Sequence, residues 1–250
     1  MHNFAKLIKI QIKLYKITTT VKIAVMRLNV FLARAGVESR RGADRLIKAG
    51  RVYVNGRIGQ LNDDVSDSDD VKVNGRRVGS QKLRYILLNK PAGYITTLKD
   101  PENRVKVTDL VKIDERVVPV GRLDFNTTGV LFLTNDGELT NKLMHPSFGI
   151  DKTYAATVQG TISEEILNKL SNGVRLDDGK TAPAKAIKLA DNKIQLVIHE
   201  GRNHQVKRML AAVGLEVIKL HRSQYGPLDA RGLKTGRWRD LSSDELKLLK

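Results

Sequence analysis

The sequence contains no cysteine, which excludes a disulfide, a thiolate nucleophile and a cysteine-ligated zinc site. It has no apolar run near the roughly 20 residues that a transmembrane helix needs. Walker glycines and a dinucleotide-binding fingerprint are also missing, so neither common nucleotide-binding motif is present. From these absences we expect a cytoplasmic protein without a membrane partner.

Acidic residues are scarce relative to basic ones. Lys and Arg number 44 against 27 Asp and Glu, a formal net charge of +17. Such an excess favours a polyanionic partner, above all nucleic acid. A membrane surface fits less well, because the charge is spread through folded-looking segments rather than along one amphipathic helix. With 41% hydrophobic residues, the chain is expected to fold around a sizeable core.

The first 25 residues form a basic extension with five lysines and no acid. Residues 8–14 alternate like a strand, but the segment lacks the continuous apolar core and cleavage site of a signal peptide. Recognisable structure begins at Met26. The extension is therefore either an arm that adds affinity for nucleic acid or a segment upstream of a true start at Met26. Without it the net charge is still +12 (17 minus 5).

A small basic module follows the extension. Apolar residues at helical spacing from Leu28 predict one helix, and Ser39 is placed to cap a second. Residues 51–56 and 71–76 predict strands that run into Asn-Gly turns, and the acidic stretch 63–70 is expected to be a solvated loop. Basic side chains lie on or beside the polar side of the second helix: Arg40, Arg41, Arg45, Lys48 and Arg51.

Residues 27–41 (Arg-Leu-Asn-Val-Phe-Leu-Ala-Arg-Ala-Gly-Val-Glu-Ser-Arg-Arg) and 46–56 (Leu-Ile-Lys-Ala-Gly-Arg-Val-Tyr-Val-Asn-Gly) resemble the S4 RNA-binding domain. That family presents two helices and a small sheet whose basic face grips structured RNA. The resemblance implies an S4 domain over residues 26–80, with RNA contacts from Arg27, Arg40, Arg41, Arg45, Lys48 and Arg51. The alternative is that these side chains only solvate a helix, although a solvated face more often mixes charges of both signs.

A larger α+β region is expected over residues 85–250, after a polar linker at residues 81–84. Apolar runs predict strands at residues 85–89, 117–120, 130–133, 152–158, 194–198 and 217–220. Capping and glycine signals predict helices after Asn135 (with Glu138 completing a capping box), Ser163, Gly201 and Ser242. Strands outnumber helices without strict alternation, so we expect a mixed, mainly antiparallel sheet with flanking helices rather than a doubly wound fold.

One loop concentrates polar chemistry between two apolar runs. Residues 121–129 read Gly-Arg-Leu-Asp-Phe-Asn-Thr-Thr-Gly, which puts Asp124 between two predicted buried strands. Catalytic acids are commonly held on such loops. On spacing alone a simpler interpretation has the edge, in which Asp124 and Asn126 make side-chain turns to nearby backbone amides.

Three ordered segments resemble the pseudouridine synthases of the RsuA/RluB type. They are residues 121–129 with Thr-Asn-Asp-Gly-Glu at 134–138, Asp-Lys-Thr-Tyr at 151–154, and Glu-Gly-Arg-Asn-His-Gln-Val-Lys-Arg-Met at 200–209. An S4 domain ahead of the catalytic domain is also that family's arrangement, so the resemblance covers the chain from Met26 onward. Family members convert a uridine in RNA to pseudouridine by breaking the N1–C1′ bond and rejoining the same base through C5.

The resemblance implies a reaction without cofactor, metal or second substrate, because base and sugar are both retained. It assigns the catalytic carboxylate to Asp124, the cation that keeps it charged to Lys207, and the aromatic that stacks on uracil to Tyr154. Arg122 matches an arginine that holds the place of the flipped nucleotide, although it can also be an ion pair of the acid. Leu220 is expected to pack under the base. Further RNA contacts are expected from Asn203, His204 and Arg208.

Other interpretations stay open. His199 and His204 invite a metal site, but their spacing does not put both on one helix face and no acid completes the set, so we expect no metal. A non-catalytic RNA-binding protein of ribosome assembly would be expected to have lost Asp124, Tyr154 or Lys207. A hydrolase would need a second carboxylate paired with Asp124, and none stands out.

The expected partner is ribosomal RNA, either free or in an assembling subunit, and the enzyme is expected to be a monomer. Residues 152–154 and 179–186 look most similar to RluB-type members, which act on large-subunit (23S) rRNA. The string His-Gln-Val-Lys-Arg-Met at 204–209 is closer to the RsuA type, which acts on small-subunit (16S) rRNA. Large-subunit rRNA is therefore the expected substrate, with small-subunit rRNA as the alternative.

Overall fold

The computed structural model describes residues 25–249, which form two compact units that divide between Gln81 and Lys82. The basic extension, with its strand-like residues 8–14 and the question of a start at Met26, lies outside the described residues. No helix within residues 25–249 is long and apolar enough to cross a membrane.

The first unit packs two short helices against small antiparallel sheets. Its helices are α1 (Leu28–Arg34) and α2 (Arg40–Lys48). Its strands are β1 (Met26–Arg27), β2 (Val52–Val54), β3 (Arg57–Ile58), β4 (Asp64–Val65), β5 (Val71–Val73) and β6 (Arg76–Val78). One sheet has the order β3-β2-β5-β6, and β1 pairs separately with β4. As predicted, Ser39 caps α2, where its Oγ accepts a hydrogen bond from the Gly42 amide at 3.1 Å.

The acidic stretch of this unit is more structured than the solvated loop that we expected. Asp64 and Val65 pair with Arg27 and Met26, and Val65 joins the hydrophobic core. Ser66 is also buried, and its amide donates to the Asp69 carboxylate at 2.7 Å. A single apolar residue among carboxylates carries no periodic signal, so the sequence pattern did not reveal this contact.

The second unit is built on a nine-stranded sheet. Its strands are β7 (Tyr85–Lys90), β8 (Val118–Val120), β9 (Thr127–Thr134), β10 (Lys152–Gln159), β11 (Arg175–Leu176), β12 (Gly179–Lys180), β13 (Lys185–Ala190), β14 (Lys193–Ile198), β15 (Glu216–Tyr225), β16 (Leu228–Asp229) and β17 (Trp238–Asp240). Its helices are α3 (Gly137–Met144), α4 (Glu164–Ser171), α5 (Gln205–Ala212) and α6 (Ser243–Leu249).

The main sheet runs β13-β14-β10-β15-β9-β7-β17, with β8 paired to β9 and β16 to β15, while β11 and β12 form a separate hairpin. The pair β9–β15 is parallel, and the other pairs of this sheet are antiparallel. The α+β class with a mixed, mainly antiparallel sheet is therefore confirmed. Successive residues of β7 lie in different core clusters: Ile86 belongs to one cluster and Leu87 to the other. Burial on both faces explains why this strand reads as a continuous apolar run.

One predicted cap was wrong by a residue. Helix α3 is capped by Asp136, whose Oδ1 accepts from the amides of Glu138 and Leu139. Asn135 instead binds the chain just before β7, because its amide donates to Lys82 O and its Oδ1 accepts from the Arg84 amide. The edge strand β13 was missed altogether, since its side chains are largely exposed and give no apolar alternation.

Candidate active site

A cleft of about 780 Å³ in the second unit brings the three motifs together. The loop between β8 and β9 contributes Asp124, β10 contributes Tyr154, and α5 contributes Lys207. Leu220 also lines the cleft, and it comes from β15, which lies between β10 and β9 in the sheet. Residues far apart in the chain thus meet because the parallel β9–β15 pair joins the two halves of the sheet.

Two basic side chains contact the Asp124 carboxylate. Lys207 Nζ lies 3.0 Å from Oδ2, and His204 Nε2 lies 3.4 Å from Oδ1. The Asp124 side chain is 28% exposed, so the carboxylate is open to a ligand from the cleft side. Within residues 25–249 the carboxylate accepts no hydrogen bond from a backbone amide, whereas the Asp124 main-chain oxygen accepts one from the Thr127 amide at 3.1 Å. The side-chain turn that was the alternative for Asp124 is therefore not formed.

The backbone of this loop is held by Lys90, the residue that follows the predicted strand at 85–89. Lys90, the last residue of β7, is fully buried. Its ammonium donates to the main-chain oxygens of Pro91 (3.0 Å), Asp124 (3.0 Å), Phe125 (3.2 Å) and Thr127 (2.8 Å). Burial lowers the pKa of Lys90 from 10.5 to about 8, and the nearby Asp124 carboxylate partly opposes this shift. One side chain thus connects the strand end to three carbonyls of the Asp124 loop.

Two further contacts fix the loop on its inner side. The buried Thr96 hydroxyl donates to Leu123 O at 2.7 Å and accepts from the Leu123 amide at 3.3 Å. The Gly93 amide donates to Phe125 O at 2.9 Å. The residues flanking Asp124 therefore have their backbone groups bonded within the protein, which orients its side chain toward the cleft.

The glycine that ends the first motif is required by close packing. Gly129 has φ +107°, in the left-handed half of conformational space, and lies in β9 opposite Arg222 of β15. A Cβ at this position would lie 2.1 Å from Arg222 O, so any side chain would push the two strands apart.

Most polar side chains of the third motif bind the protein itself. Arg202 donates to Glu200 Oε2 at 3.3 Å, to Gly179 O at 3.1 Å and to Lys180 O at 2.7 Å. The buried Gln205 donates to Glu200 and accepts from the Arg202 amide. These bonds attach the segment before α5 to the β11–β12 hairpin and so set the position of Lys207.

Arg208, one of the expected RNA contacts, also belongs to this internal network. Its guanidinium binds Asp177 and Asp178 and donates to Asn203 O at 3.0 Å. Arg208 and Arg202 hold the pKa of Asp178 down at about 2. Both terminal nitrogens of Arg208 thus bind groups of the protein, whereas Asn203 and His204 line the cleft and are exposed.

Part of the cleft wall comes from β10 and β15. Tyr154 pairs with Arg222 across these strands, and Leu220 lies two residues before Arg222. Tyr154 and Leu220 are 9% and 6% exposed, and both belong to the main hydrophobic core. Tyr154 is therefore a core residue and a cleft residue at once, and its place in the core is compatible with contact to a ligand in the cleft.

Arg122 is exposed at the rim of the cleft. In the part of the chain that the structure describes, its guanidinium pairs with no carboxylate, so the ion-pair alternative for this residue is wrong. Phe125, next to Asp124, is likewise 46% exposed. The rim thus presents one free cation and one aromatic ring beside the acid.

The residues of the first unit that were expected to contact RNA fall into two groups. Arg27 is held by Asn62 O at 2.6 Å and by Asp64 at 3.5 Å. The others are exposed, and no acid within residues 25–249 pairs with them: Arg40, Arg41, Arg45, Lys48 and Arg51. Helix α2 and the residues after it therefore carry a cluster of unneutralised positive charge.

Among the described residues that line the cleft, Asp124 is accompanied by two other carboxylates. Asp100 pairs with Arg104 at 2.7 Å, and Glu200 pairs with Arg202 at 3.3 Å. Neither is left free to act with Asp124 as the second acid of a hydrolase. Residues 25–249 also contain no group of three His, Asp or Glu side chains that could hold a metal ion.

Comparisons with known proteins agree with the geometry. A family model described as RNA pseudouridylate synthase matches residues 84–212, and one for the S4 domain matches residues 26–71. The ribosomal large subunit pseudouridine synthase B of Bacillus subtilis is 51% identical over 90% of this chain and 95% of its own length. The dual-specificity RNA pseudouridine synthase RluF of Escherichia coli is 38% identical over 88% of this chain and 77% of its own.

A solved structure supports the same conclusion. The crystal structure of a pseudouridylate synthase aligns with a TM-score of 0.67 and 30% identity, over 90% of this chain and 100% of that one. Together with the high identity to the curated relatives, this likeness confirms the resemblance read from the three motifs. The chain belongs to the RNA pseudouridylate synthase family and is an RNA pseudouridine synthase of the RsuA/RluB/RluF type with an S4 domain.

Proposed function

We propose that this enzyme converts a uridine of large-subunit ribosomal RNA to pseudouridine, with Asp124 as its catalytic carboxylate. The substrate is supported by the relative from Bacillus subtilis, whose name gives the large ribosomal subunit and whose sequence matches nearly end to end. The catalytic assignment rests above all on one observation, the 3.0 Å contact between Lys207 Nζ and Asp124 Oδ2 in an open cleft. An enzyme acting on ribosomal RNA is expected to work in the cytoplasm.

The chemistry gives the two charged groups distinct tasks. The N1–C1′ bond must break and a C5–C1′ bond must form, so a negatively charged oxygen is needed near the sugar. Asp124 supplies it, either by adding to C1′ or by taking the C2′ proton. A carboxylate that loses water on substrate binding tends to take up a proton. Lys207 opposes this by favouring the charged form.

The base has to leave its stack to reach Asp124. Tyr154 then stacks against the flipped uracil and Leu220 packs under it, so that the detached base stays in the cleft while it turns. Arg122 occupies the place that the nucleotide leaves. Its exposure at the rim without a carboxylate partner supports this role.

Residues 26–80 act as the RNA-gripping domain in this proposal, residues 81–84 as a linker and residues 85–250 as the catalytic domain. The unpaired cations of α2 supply contacts to phosphates, which position the RNA without reading its sequence. The catalytic cleft then selects the uridine. We propose that the enzyme acts as a monomer on free or assembling rRNA.

The experiment that tests this function is pseudouridine mapping of total rRNA from a strain lacking the gene. The strain is complemented with the wild type or with Asp124→Ala. We expect one 23S site to be lost in the deletion and restored only by the wild type. A lost site in 16S rRNA would correct the substrate, and an unchanged map would point to a non-catalytic assembly protein. Restoration by Asp124→Ala would overturn the catalytic assignment alone.

A further inference from the structure

Arg222 is a buried cation without an anionic partner in the wall of the cleft. It is 1% exposed and lines the cleft together with Asp124 and Tyr154. Its Nε donates to Val130 O at 2.8 Å, and its Nη1 lies 3.5 Å from the Tyr154 hydroxyl. Its Nη2 is buried and has no hydrogen-bond partner.

Burying such a group in the folded protein costs free energy. A buried charge without a counter-ion loses its hydration, and an unpaired buried donor adds its own desolvation penalty. No carboxylate within residues 25–249 pairs with Arg222. Lys152 also lines the cleft, and its ammonium is directed to the main-chain oxygens of Ile150 and His199. This part of the cleft therefore holds excess positive charge, which suits a ligand that is or becomes negative.

We propose that Arg222 is a further catalytic residue, whose Nη2 donates to a carbonyl oxygen of the flipped uracil and stabilises the charge on the departing base. The proposal rests on the isomerisation proposed above and adds to it a site for the leaving group. Asp124 acts on the sugar, whereas Arg222 acts on the base.

The reaction needs a cation near the base, because negative charge develops on the base when it leaves the sugar. When the N1–C1′ bond breaks, both electrons stay with the base, and the uracil becomes an anion whose charge is shared by N1, O2 and O4. The base then turns, C5 forms its bond to C1′, C5 loses its proton and N1 gains one. No oxidant or co-reactant is consumed. A fixed cation stabilises the charge as it develops, and it does so most effectively in a dry, preorganised site.

The surroundings of Arg222 fix it in place for this task. Tyr154, the residue proposed to stack on the base, is its partner across β10 and β15. Val130 O holds Nε, and the backbone of Arg222 passes against Gly129, at the end of the Asp124 motif. Two of the three guanidinium nitrogens are thereby in contact with protein acceptors, and the third, Nη2, is left without a partner.

The test compares Arg222→Met and Arg222→Lys with the wild type on an in vitro transcript of 23S rRNA. Arg84→Met is the matched control, because Arg84 is a partly buried arginine of the same unit that pairs with Glu115 and Asp240 outside the cleft. We expect Arg222→Met to bind the transcript as tightly as the wild type. Its single-turnover rate should fall on the order of 10²-fold to 10³-fold. Arg222→Lys should recover part of this rate, and Arg84→Met should keep the wild-type rate per folded molecule.

A second transcript, made with 5-fluorouridine, separates charge stabilisation from positioning. Fluorine withdraws electrons and stabilises the uracil anion, so this base depends less on Arg222 when it leaves. We expect the rate defect of Arg222→Met, measured by mass spectrometry as loss of the N-linked nucleoside, to be at least several-fold smaller on this transcript than on the uridine transcript.

Each contrary result has a distinct meaning. Equal defects on both transcripts, or a defect in RNA affinity alone, would overturn the leaving-group role in favour of positioning or of phosphate binding. An unchanged rate in folded Arg222→Met would also overturn it. A wild-type enzyme that modifies no site of the 23S transcript, but does modify 16S rRNA, would correct the substrate, and the Arg222 comparison would then be decided on that RNA. Inactivity on both would overturn the proposed function and this inference together.

Discussion

Lys90 and Asp124 are joined through the main chain: the buried Lys90 ammonium donates to the Asp124 carbonyl oxygen at 3.0 Å. The same ammonium also binds the carbonyls of Phe125 and Thr127. Lys207, by contrast, contacts the Asp124 carboxylate. Lys90 thus fixes the backbone of the loop, and Lys207 contacts the carboxylate. The six-residue connection between β8 and β9 therefore keeps a defined shape.

The Lys90→Met substitution tests the structural half of this arrangement. It leaves several buried carbonyls without a donor, and we expect the free energy of unfolding to fall on the order of 2 kcal/mol. The isomerisation rate should also fall, because the Asp124 loop is no longer fixed, while RNA affinity stays near that of the wild type. Denaturant titration and single-turnover assays measure both effects. Lys112→Met, at an exposed position of the same unit, should change neither, and a fully stable and active Lys90→Met would contradict the account.

The pKa of Lys90 predicts a pH dependence of stability. Its pKa is about 8 in the folded protein, below the ordinary 10.5, so between these pH values the unfolded chain binds more protons. The free energy of unfolding of the wild type should therefore rise with pH across this window relative to Lys90→Met. Denaturant titrations of both proteins from about pH 7 to about pH 11 measure the difference. A difference that stays constant would show that the surrounding carbonyls hold the ammonium at its ordinary pKa.

Lys207 can be tested by two substitutions at one position. Lys207→Met removes the charge beside Asp124 and is expected to lower the single-turnover rate on the order of 10-fold to 100-fold. Lys207→Arg keeps the charge and should retain most of the rate, because one cationic nitrogen near Oδ2 suffices for an electrostatic role. RNA affinity, measured by filter binding, should change little in either variant. An equal loss of rate in Lys207→Met and Lys207→Arg would show that the shape of the lysine side chain matters rather than its charge.

The parts of the fold that depend on apolar runs and helix caps were predictable from the sequence, because both signals are local. Residues 85–89 and 194–198 form strands as predicted, and Ser163 caps α4 as predicted. The cap of α3 shifted from Asn135 to Asp136, since either side chain can cap a helix and only the contacts of Asn135 with the chain before β7 decide between them. Local patterns cannot contain that information.

The buried cations of the site were not predictable. Lys90 follows an apolar run and precedes a proline, so its pattern resembles a turn, and the carbonyls that it binds come mostly from residues more than 30 positions away. The predicted strand at 217–220 stopped before Arg222, because an arginine interrupts the apolar pattern. Each of these basic residues stands two positions after the last leucine of an apolar run (Leu88 and Leu220). This signal could have marked both, and its meaning becomes clear only from the chain packed around it.

The basic residues of the S4 domain are expected to bind phosphates. A triple variant of Arg40, Arg41 and Arg45 to alanine should weaken RNA binding and make it less dependent on salt, because each lost phosphate contact lowers the slope of log K against log salt by about 0.7 to 0.9. Filter binding at several salt concentrations gives this slope. Arg57→Ala is the control, since Arg57 is an exposed arginine of the same unit that pairs with Asp63. An unchanged slope in the triple variant would exclude this face from RNA binding.

Asp124→Asn tests whether the Asp124 carboxylate performs the reaction. The substitution keeps the shape of the side chain and the backbone bonds to Lys90. Single-turnover formation of pseudouridine in a 23S transcript should fall by about 10²-fold to 10⁴-fold or more, with RNA affinity within about two-fold of the wild type. Retention of wild-type turnover by a folded Asp124→Asn protein would contradict the account.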